Sequence, residues 1–428
     1  MKVDAAPEGS GKKSVVKVVN TLGIQGLDDV EGECTILSDD NHGNVADEGV
    51  IPKLDSIVDE ISEGINKNHH DHKLVSNTTY GTHPSHDENY KKTLCTFDDG
   101  LTRYNADTKG LDCNRSEGKV FILATVHDTF RKPDTAKTFW VSFQDLATAI
   151  RFKTHVALTD PDNLPETLEY MDRGCFEVID RAGRFMGHFI KYFGADHPMV
   201  ARGWALKLMV ESLPGLSNLP DMVQYHLNQL LPPVLSSAVM NSGRHRQHHI
   251  VTTVGDYDGS GSLQSFEKRL ASFCKESEGA IDVHELATAA ERDGANAFRY
   301  TAAAAFPTYC VGTNLQGISV DYALPKNRSE APELPPKEMP AKRMRYSHFA
   351  CNVVHEDLAY EQGVDTHSSK MKLKHIVDEV CGGRLPSEHG HGTEYVAPLE
   401  TKQRWMKMDP LNVMNPGVGG LSTKYQYE

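Results

Sequence analysis

The sequence predicts an α+β layer fold, and three observations predict it. Lys119-Val-Phe-Ile-Leu-Ala-Thr-Val126 is a continuous apolar run with β-branched members, as expected of a strand buried on both faces. Phe139-Trp-Val-Ser-Phe143 reads as a strand, and Asp145 to Phe152 as the helix after it. Leu168-Glu-Tyr-Met171 followed by Phe176 to Ala182 repeats that order, and such alternation belongs to stacked layers of sheet and helix.

Taken in order, the chain opens with a strand-like Ser14-Val-Val-Lys-Val-Val19 and then turns acidic, Asn-rich and His-rich. Asn68-His-His-Asp-His72 and Thr82-His-Pro-Ser-His86 lack regular ligand spacing and sit among disorder-promoting residues. The stretch 27–97 therefore reads as a mobile surface insertion rather than a metal site. Order resumes at Thr102-Arg-Tyr-Asn-Ala-Asp107 and continues through the strands and helices above. Between Arg184 and Ile250 the text becomes apolar and Pro-broken, with six Arg or Lys against three acids. A helical subdomain with its own core accounts for this texture; a membrane-surface patch is the alternative. Residues 325–345 form a Pro-rich loop or linker. A strand around Tyr346 to Val354 and an amphipathic helix near Met371 to Val380 follow it, and no repeat of solenoid period is visible.

Composition narrows the function. A chain of 428 residues is long enough for two or three domains. Its net charge of −14 argues against nucleic acid as a partner, since phosphate binding needs a basic face. The cysteines at 34, 95, 113, 175, 274, 310, 351 and 381 form no Cys-x-x-Cys pair, which suits free thiols better than a disulfide framework or zinc cage. The first residues lack the apolar core of a secretory signal, and no run approaches the ~18 apolar residues of a membrane span. A soluble or peripheral protein is expected.

Three motifs carry chemistry. Asp256-Tyr-Asp258-Gly-Ser260-Gly261 through Glu267 fits the calcium-loop template. A strand, His249 to Val254, precedes it where a helix is required, so a strand-to-helix turn with chance acids is the better reading. His348 and His355 are seven apart; along one extended strand they would face opposite sides, ~23 Å apart. With Phe349 to Val354 read as lacking a turn residue, shared metal ligation is disfavoured and no metal site is assigned. Glu388-His389-Gly390 lies in a Pro- and Gly-rich loop, where a functional imidazole is commonly held, and Asn415-Pro-Gly417 follows about two dozen residues later.

From about Leu101 onward the chain resembles the quinone-dependent, respiratory D-lactate dehydrogenases, FAD enzymes of the vanillyl-alcohol-oxidase type. The matching pieces include Ser116-Glu-Gly-Lys-Val, Asp128-Thr-Phe, Leu168-Glu-Tyr-Met-Asp-Arg, His248-His249 and Phe298-Arg-Tyr300. Leu334-Pro-Pro, Ser347-His-Phe-Ala-Cys, Gly363-Val-Asp, Glu388-His389 to Gly392 and Met414-Asn-Pro-Gly417 continue the series. The resemblance implies a partial FAD-binding domain (its second subdomain) over 1–128, a cap or substrate domain with an antiparallel sheet over 129–380, and a return to the flavin domain over 381–428. Within the cap it implies a helical membrane-binding insert at 171–248. The glycine-rich loops of the first flavin subdomain are not found, so the chain reads as N-terminally truncated.

The implied chemistry is oxidation of D-lactate or a related D-2-hydroxy acid to the 2-oxo acid. FAD accepts the hydride and a membrane quinone receives the electrons; FAD carries the hard chemistry and the protein orients it. By resemblance His389 is the base, Glu388 its orienting partner, and His348 lines the pocket. Gly118 and Ile122, on the buried strand, and Asn415 would touch FAD. Peripheral association with the cytoplasmic side of a respiratory membrane is implied, or a cytoplasmic location if the patch is inactive. The alternative is a non-catalytic remnant, or a chain that pairs with a separate polypeptide holding the missing flavin half.

Overall fold

A computed structural model describes residues 95–101, 115–122, 132–194 and 197–427, together with the strand residues 21–22 and 34–35. The expected strand at Ser14 to Val19, most of the 27–97 stretch, Thr102 to Asp107 and Asp128 to Phe130 lie outside the described residues. The chain forms two compact units: residues 133–387 with 91–103, and residues 104–132 and 388–428 with 2–90.

The second unit holds a small antiparallel sheet in which β1 (Thr21–Leu22) pairs with both β2 (Cys34–Thr35) and β3 (Phe121–Ile122). Residues 119–122 of the apolar run are described, and β3 is the strand within them. Gly118 is not on this strand but in the turn before it, at φ +84°, a conformation open to glycine at no steric cost.

The first unit is built on a seven-stranded antiparallel sheet. Its strands are β4 (Thr135–Phe143), β5 (Thr167–Asp172), β6 (His248–Asp256), β7 (Ile281–Glu285), β8 (Leu315–Ala323), β9 (Lys342–His348) and β10 (Val353–Glu361), in the order β7-β4-β6-β5-β9-β10-β8. β4 is covered on both faces, which is why Phe139 to Phe143 reads as a near-continuous apolar run.

On β4 the two-residue period sends Phe139, Val141 and Phe143 to one face. There they meet α1 (Leu146–Phe152) and α7 (Ser262–Glu276), with Phe143 5.4 Å from Phe152 and Phe139 5.6 Å from Phe266 between ring centroids. Trp140 points to the other face, edge-on to Phe176 and Phe298. α1 starts where expected because the Asp145 carboxylate accepts the Thr148 N–H at 2.8 Å.

Between β5 and β6 the chain leaves the sheet for a helical excursion. Its helices are α2 (Arg173–Ala182), α3 (Arg184–Phe193), α4 (Pro198–Glu211), α5 (Leu219–Leu230) and α6 (Ser237–His245). Asp172, the last residue of β5, caps α2 by accepting the Cys175 N–H at 2.7 Å. Gly174 is required there, since a Cβ would stand 2.2 Å from the Arg343 carbonyl oxygen of β9.

α8 (Ala289–Tyr300) and α9 (Ala302–Thr313) then return the chain to β8. The segment resembling a calcium loop joins β6 to α7, the strand-to-helix context expected. The Asp256 carboxylate is turned into its own loop, accepting from Ser260 Oγ at 2.5 Å and the Gly261 N–H at 3.0 Å.

Candidate active site

In the first unit the site is organised by the β9–β10 hairpin, and here one expectation is corrected. The stretch from Tyr346 to Val354 is not a single strand: β9 ends at His348, residues 349–352 turn, and β10 begins at Val353. His348 and His355 therefore share a face, their rings 5.7 Å apart and nearly perpendicular. The turn residue overlooked in the sequence is Asn352, at φ +50°, a left-handed conformation that Asn tolerates better than most residues.

The turn is fixed from outside the hairpin. Asn352 Nδ2 donates to the carbonyls of Pro325, Lys326 and Arg328, at 2.9, 3.1 and 2.8 Å. Its Oδ1 accepts from the buried Lys153 ammonium at 2.6 Å. Burial draws the Lys153 pKa down to about 8, so this donor is held at a desolvation cost.

Around the two imidazoles lies a chain of polar contacts. His348 Nδ1 is 2.9 Å from Glu169 Oε1 of β5, and Arg299 at the end of α8 reaches Glu169 Oε2 at 2.9 Å. The Arg299 guanidinium also stands 4.7 Å over the Tyr346 ring, and Tyr346 stacks on His355 at 5.1 Å. Burial alone would raise the Glu169 carboxyl; the His348 hydrogen bond and the Arg299 charge outweigh it, and the pKa lies below the usual value. Asp357, two residues past His355, is the opposite case. Its burial outweighs hydrogen bonds from Ser319 and Tyr346 and lifts the pKa to about 7. A carboxylate held low and another held high within one polar cluster is an arrangement typical of functional sites.

Of the expected site residues, His348 lies in this unit. Glu388 and His389 lie in the second, in the loop that opens its C-terminal segment, half-buried and exposed respectively. Sequence reasoning assigned no role to Glu169, Arg299 or Asp357. Glu169 stood inside the Leu168-Glu-Tyr-Met-Asp-Arg match and Arg299 inside Phe298-Arg-Tyr300, but nothing local to Asp357 distinguishes it from an ordinary strand residue.

The second unit draws its C-terminal segment onto the turn at Arg115 to Val120. His391 presents its backbone N–H and its Nδ1 to the Glu117 carboxylate, each at 2.7 Å. Asn415 Nδ2 donates to the Glu117 carbonyl at 2.5 Å, and Trp405 Nε1 to the Arg115 carbonyl at 2.7 Å. Lys119, with no exposed surface, bonds Asn412 Oδ1 at 2.6 Å and pairs with Asp409 at 3.2 Å.

Gly118 and Asn415, both expected at a flavin, are thus brought together: a Cβ on Gly118 would lie 3.0 Å from the Asn415 side chain. Ile122 lies on β3, paired with Thr21. Gly118 lacks a side chain where Asn415 packs, so this contact needs the glycine.

A family model described as "D-lactate dehydrogenase, membrane binding" matches residues 138–427. The chain belongs to this family. Quinone-dependent D-lactate dehydrogenases from Corynebacterium glutamicum and Escherichia coli strain K12 are 27% and 26% identical to it, over 79% and 80% of its length. The matched region covers 60% and 61% of those proteins, so the chain spans about three fifths of the relatives it matches. Among solved structures, p-cresol methylhydroxylase with substrate bound is similar at 12% identity and a TM-score of 0.41, over 71% of this chain and 56% of that one. The 4-ethylphenol oxidase of Gulosibacter chungangensis is similar at 10% identity and a TM-score of 0.39, over 71% and 57%.

In this family member the helical excursion α2–α6 has two characters. α2 is part of the core, burying Cys175, Phe176, Val178 and Ile179. α4 and α5 instead leave large apolar side chains in water, reaching 83% exposure at Leu230. Among the described residues no helix is long and apolar enough to cross a membrane.

Proposed function

We propose that this chain carries the substrate domain and part of the flavin site of a quinone-dependent D-lactate dehydrogenase. In this reading residues 129–380 form the cap, 171–248 its membrane-binding insert, and 381–428 the return to a flavin-binding domain begun within 1–128. The substrate is D-lactate or a related D-2-hydroxy acid, and the final electron acceptor a quinone. The protein would sit as a peripheral protein on the cytoplasmic side of a respiratory membrane.

The observation that carries this reading is the imidazole pair His348/His355 braced by Glu169 and Arg299, in a chain of the D-lactate dehydrogenase family. FAD, when bound, supplies the hydride acceptor; Gly118, Ile122 and Asn415 would lie against it. His389 takes the hydroxyl proton of the substrate, and Glu388 orients that imidazole. His348, its Nδ1 fixed by Glu169, turns Nε2 toward the substrate, and its bracing by a carboxylate selects one tautomer.

The test is reduction of a dye by D-lactate with purified chain reconstituted with FAD. Turnover by the wild type is expected, lost in His389→Ala while the bound-flavin absorption remains. Unchanged turnover in that variant removes His389 as the base, and a wild-type chain that neither binds flavin nor turns over supports the alternative of a split or non-catalytic partner.

A further inference from the structure

We propose that the α4–α5 hairpin, residues 198–230, seats itself among the acyl chains of a bilayer by apolar contact alone, without need of anionic lipid. The inference rests on the reading of this chain as a peripheral membrane protein and names how that contact is made.

Apolar side chains surround α4 rather than line one side of it. Trp204, Leu206, Leu208 and Met209 are each at least half exposed. At 100° per residue they form two pairs, Trp204 with Leu208 and Leu206 with Met209, about 150° apart around the helix. A protein partner would cover one face of such a helix and leave the opposite one in water. A helix that exposes large apolar side chains on two well-separated faces belongs in a large core or in lipid. Fourteen residues at 1.5 Å each give ~21 Å, short of the ~30 Å hydrocarbon layer, so α4 enters the bilayer without crossing it. The connecting residues Ser212 to Asn218, with Leu213, Pro214 and Leu216, carry no charge that would oppose entry.

The charges of the hairpin cannot supply the attraction. Arg202 and Lys207 are balanced by Glu211 and Asp221, giving a net charge of zero over 198–230. Lys207 is moreover committed to Asp221 at 2.8 Å and to Glu211 at 3.6 Å. Asp221 is itself buried, accepting a hydrogen bond from Thr308 of α9 at 2.7 Å, so this ion pair anchors the hairpin to its own fold. Lys207 also stands 5.2 Å from the Trp204 ring, leaving Trp204 as an amphipathic anchor at the level where a bilayer meets water. The hairpin itself thus offers anionic headgroups no net attraction, and the cations outside it in the 184–250 stretch, Arg184, Lys191, Arg244 and Arg246, are what the salt arm of the test below addresses.

Trp204 makes the test internal to the molecule. The other tryptophans, Trp140 and Trp405, have no exposed surface, so a change in emission on lipid addition reports Trp204. The full chain is mixed with phosphatidylcholine vesicles, and with vesicles containing phosphatidylglycerol, at low and at high salt. Equal co-sedimentation with both, unchanged by salt, is expected, together with a blue shift and quenching by brominated acyl chains. Replacing Leu206, Leu208 and Met209 by Gln, all at exposed positions, should lower partitioning by about a hundredfold.

Binding confined to anionic vesicles and abolished by salt would overturn the proposal in favour of headgroup attraction. Failure to bind vesicles, with a self-association that the triple variant dissolves, would overturn it in favour of a second copy on the hairpin. Dye reduction by D-lactate in detergent-free solution, measured alongside, separates the two readings. Turnover without vesicle binding sinks the hairpin alone, and vesicle binding without turnover sinks the catalytic reading alone.

Discussion

Replacing Lys119 by Met isolates one buried charge on which the second unit's C-terminal segment depends. Methionine keeps most of the length and the apolar stem and removes the ammonium. Asp409, 2% exposed, then loses its counter-ion and keeps only the backbone N–H groups of Val413 and Met414, at 3.1 and 3.0 Å. Breaking a buried pair by removing one partner costs about 3–5 kcal/mol. The two remaining donors on Asp409 place this case at the lower end, about 3 kcal/mol, or about a hundredfold in the docking equilibrium of the segment.

Hydrogen exchange read by mass spectrometry checks it. Peptides spanning 399–421, whose amides include Asp409 N–H to the Trp405 carbonyl and Gly419 N–H to the Gly392 carbonyl, should exchange about a hundredfold faster. Peptides from β4 and β6 should keep their rates. Lys119→Met combined with Asp409→Leu should regain much of the loss, because an apolar pair no longer buries an unpaired charge. Unaltered protection of 399–421 in the single variant, or an equal rise in β4, would refute the reasoning.

Two further outcomes are expected. His249 has no exposed surface, its Nε2 lacks a partner among the described residues, and burial first, then the neighbouring His248 charge, draws its pKa down to about 3. The unfolded chain binds that proton at about 6.5 and the folded chain does not, so stability falls as pH drops from about 6.5 toward 3. Between pH 7 and pH 5 the wild type should lose about 2 kcal/mol from this group, a loss that His249→Phe should remove; equal urea-midpoint shifts in both proteins would count against it. Glu169→Gln keeps the shape of the brace but not its charge. It should lower D-lactate turnover about tenfold or more with flavin content unchanged, and turnover equal to the wild type would show that orientation of His348 is immaterial.

Much of the sheet was legible because its signals are local. Phe139 to Phe143, Leu168 to Met171 and His249 to Val254 are apolar, β-branched or aromatic runs, and each became a strand. Asp145 marked the start of α1 because a cap acts within one turn of helix. The hairpin at 349–352 was not legible, because its turn rests on contacts remote in sequence. Asn352 is held left-handed by three carbonyls at 325–328 and by Lys153, and without them Phe349 to Val354 reads as extended chain. The same reason hid Glu169. Its partners His348 and Arg299 are more than a hundred residues away, and only the pairing of β5 with β9 brings Glu169 opposite His348. Gly118 and Asn415 were named together from motif resemblance, and their contact follows from a turn that no periodicity announces.

The placement of β5 connects the polar cluster to the α4–α5 hairpin by covalent and packed steps. Glu169 braces His348; three residues later Asp172 caps α2, the first helix of the excursion that leads to α4 and α5. The return path is equally direct. α5 is tied to α9 by the bond from Thr308 to Asp221 and by close packing, since a Cβ on Gly312 would lie 2.1 Å from the Tyr225 ring. α9 continues from α8, whose last turn carries Arg299 to Glu169. The helices that hold the hairpin are thus the helices that hold the guanidinium, and packed helices move as bodies rather than deform. A bilayer that fixes α4 and α5 also fixes the base on which Arg299 stands. On the proposed docking, lipid held at α4 and α5 would bear on the Glu169–His348 brace as well as tether the chain.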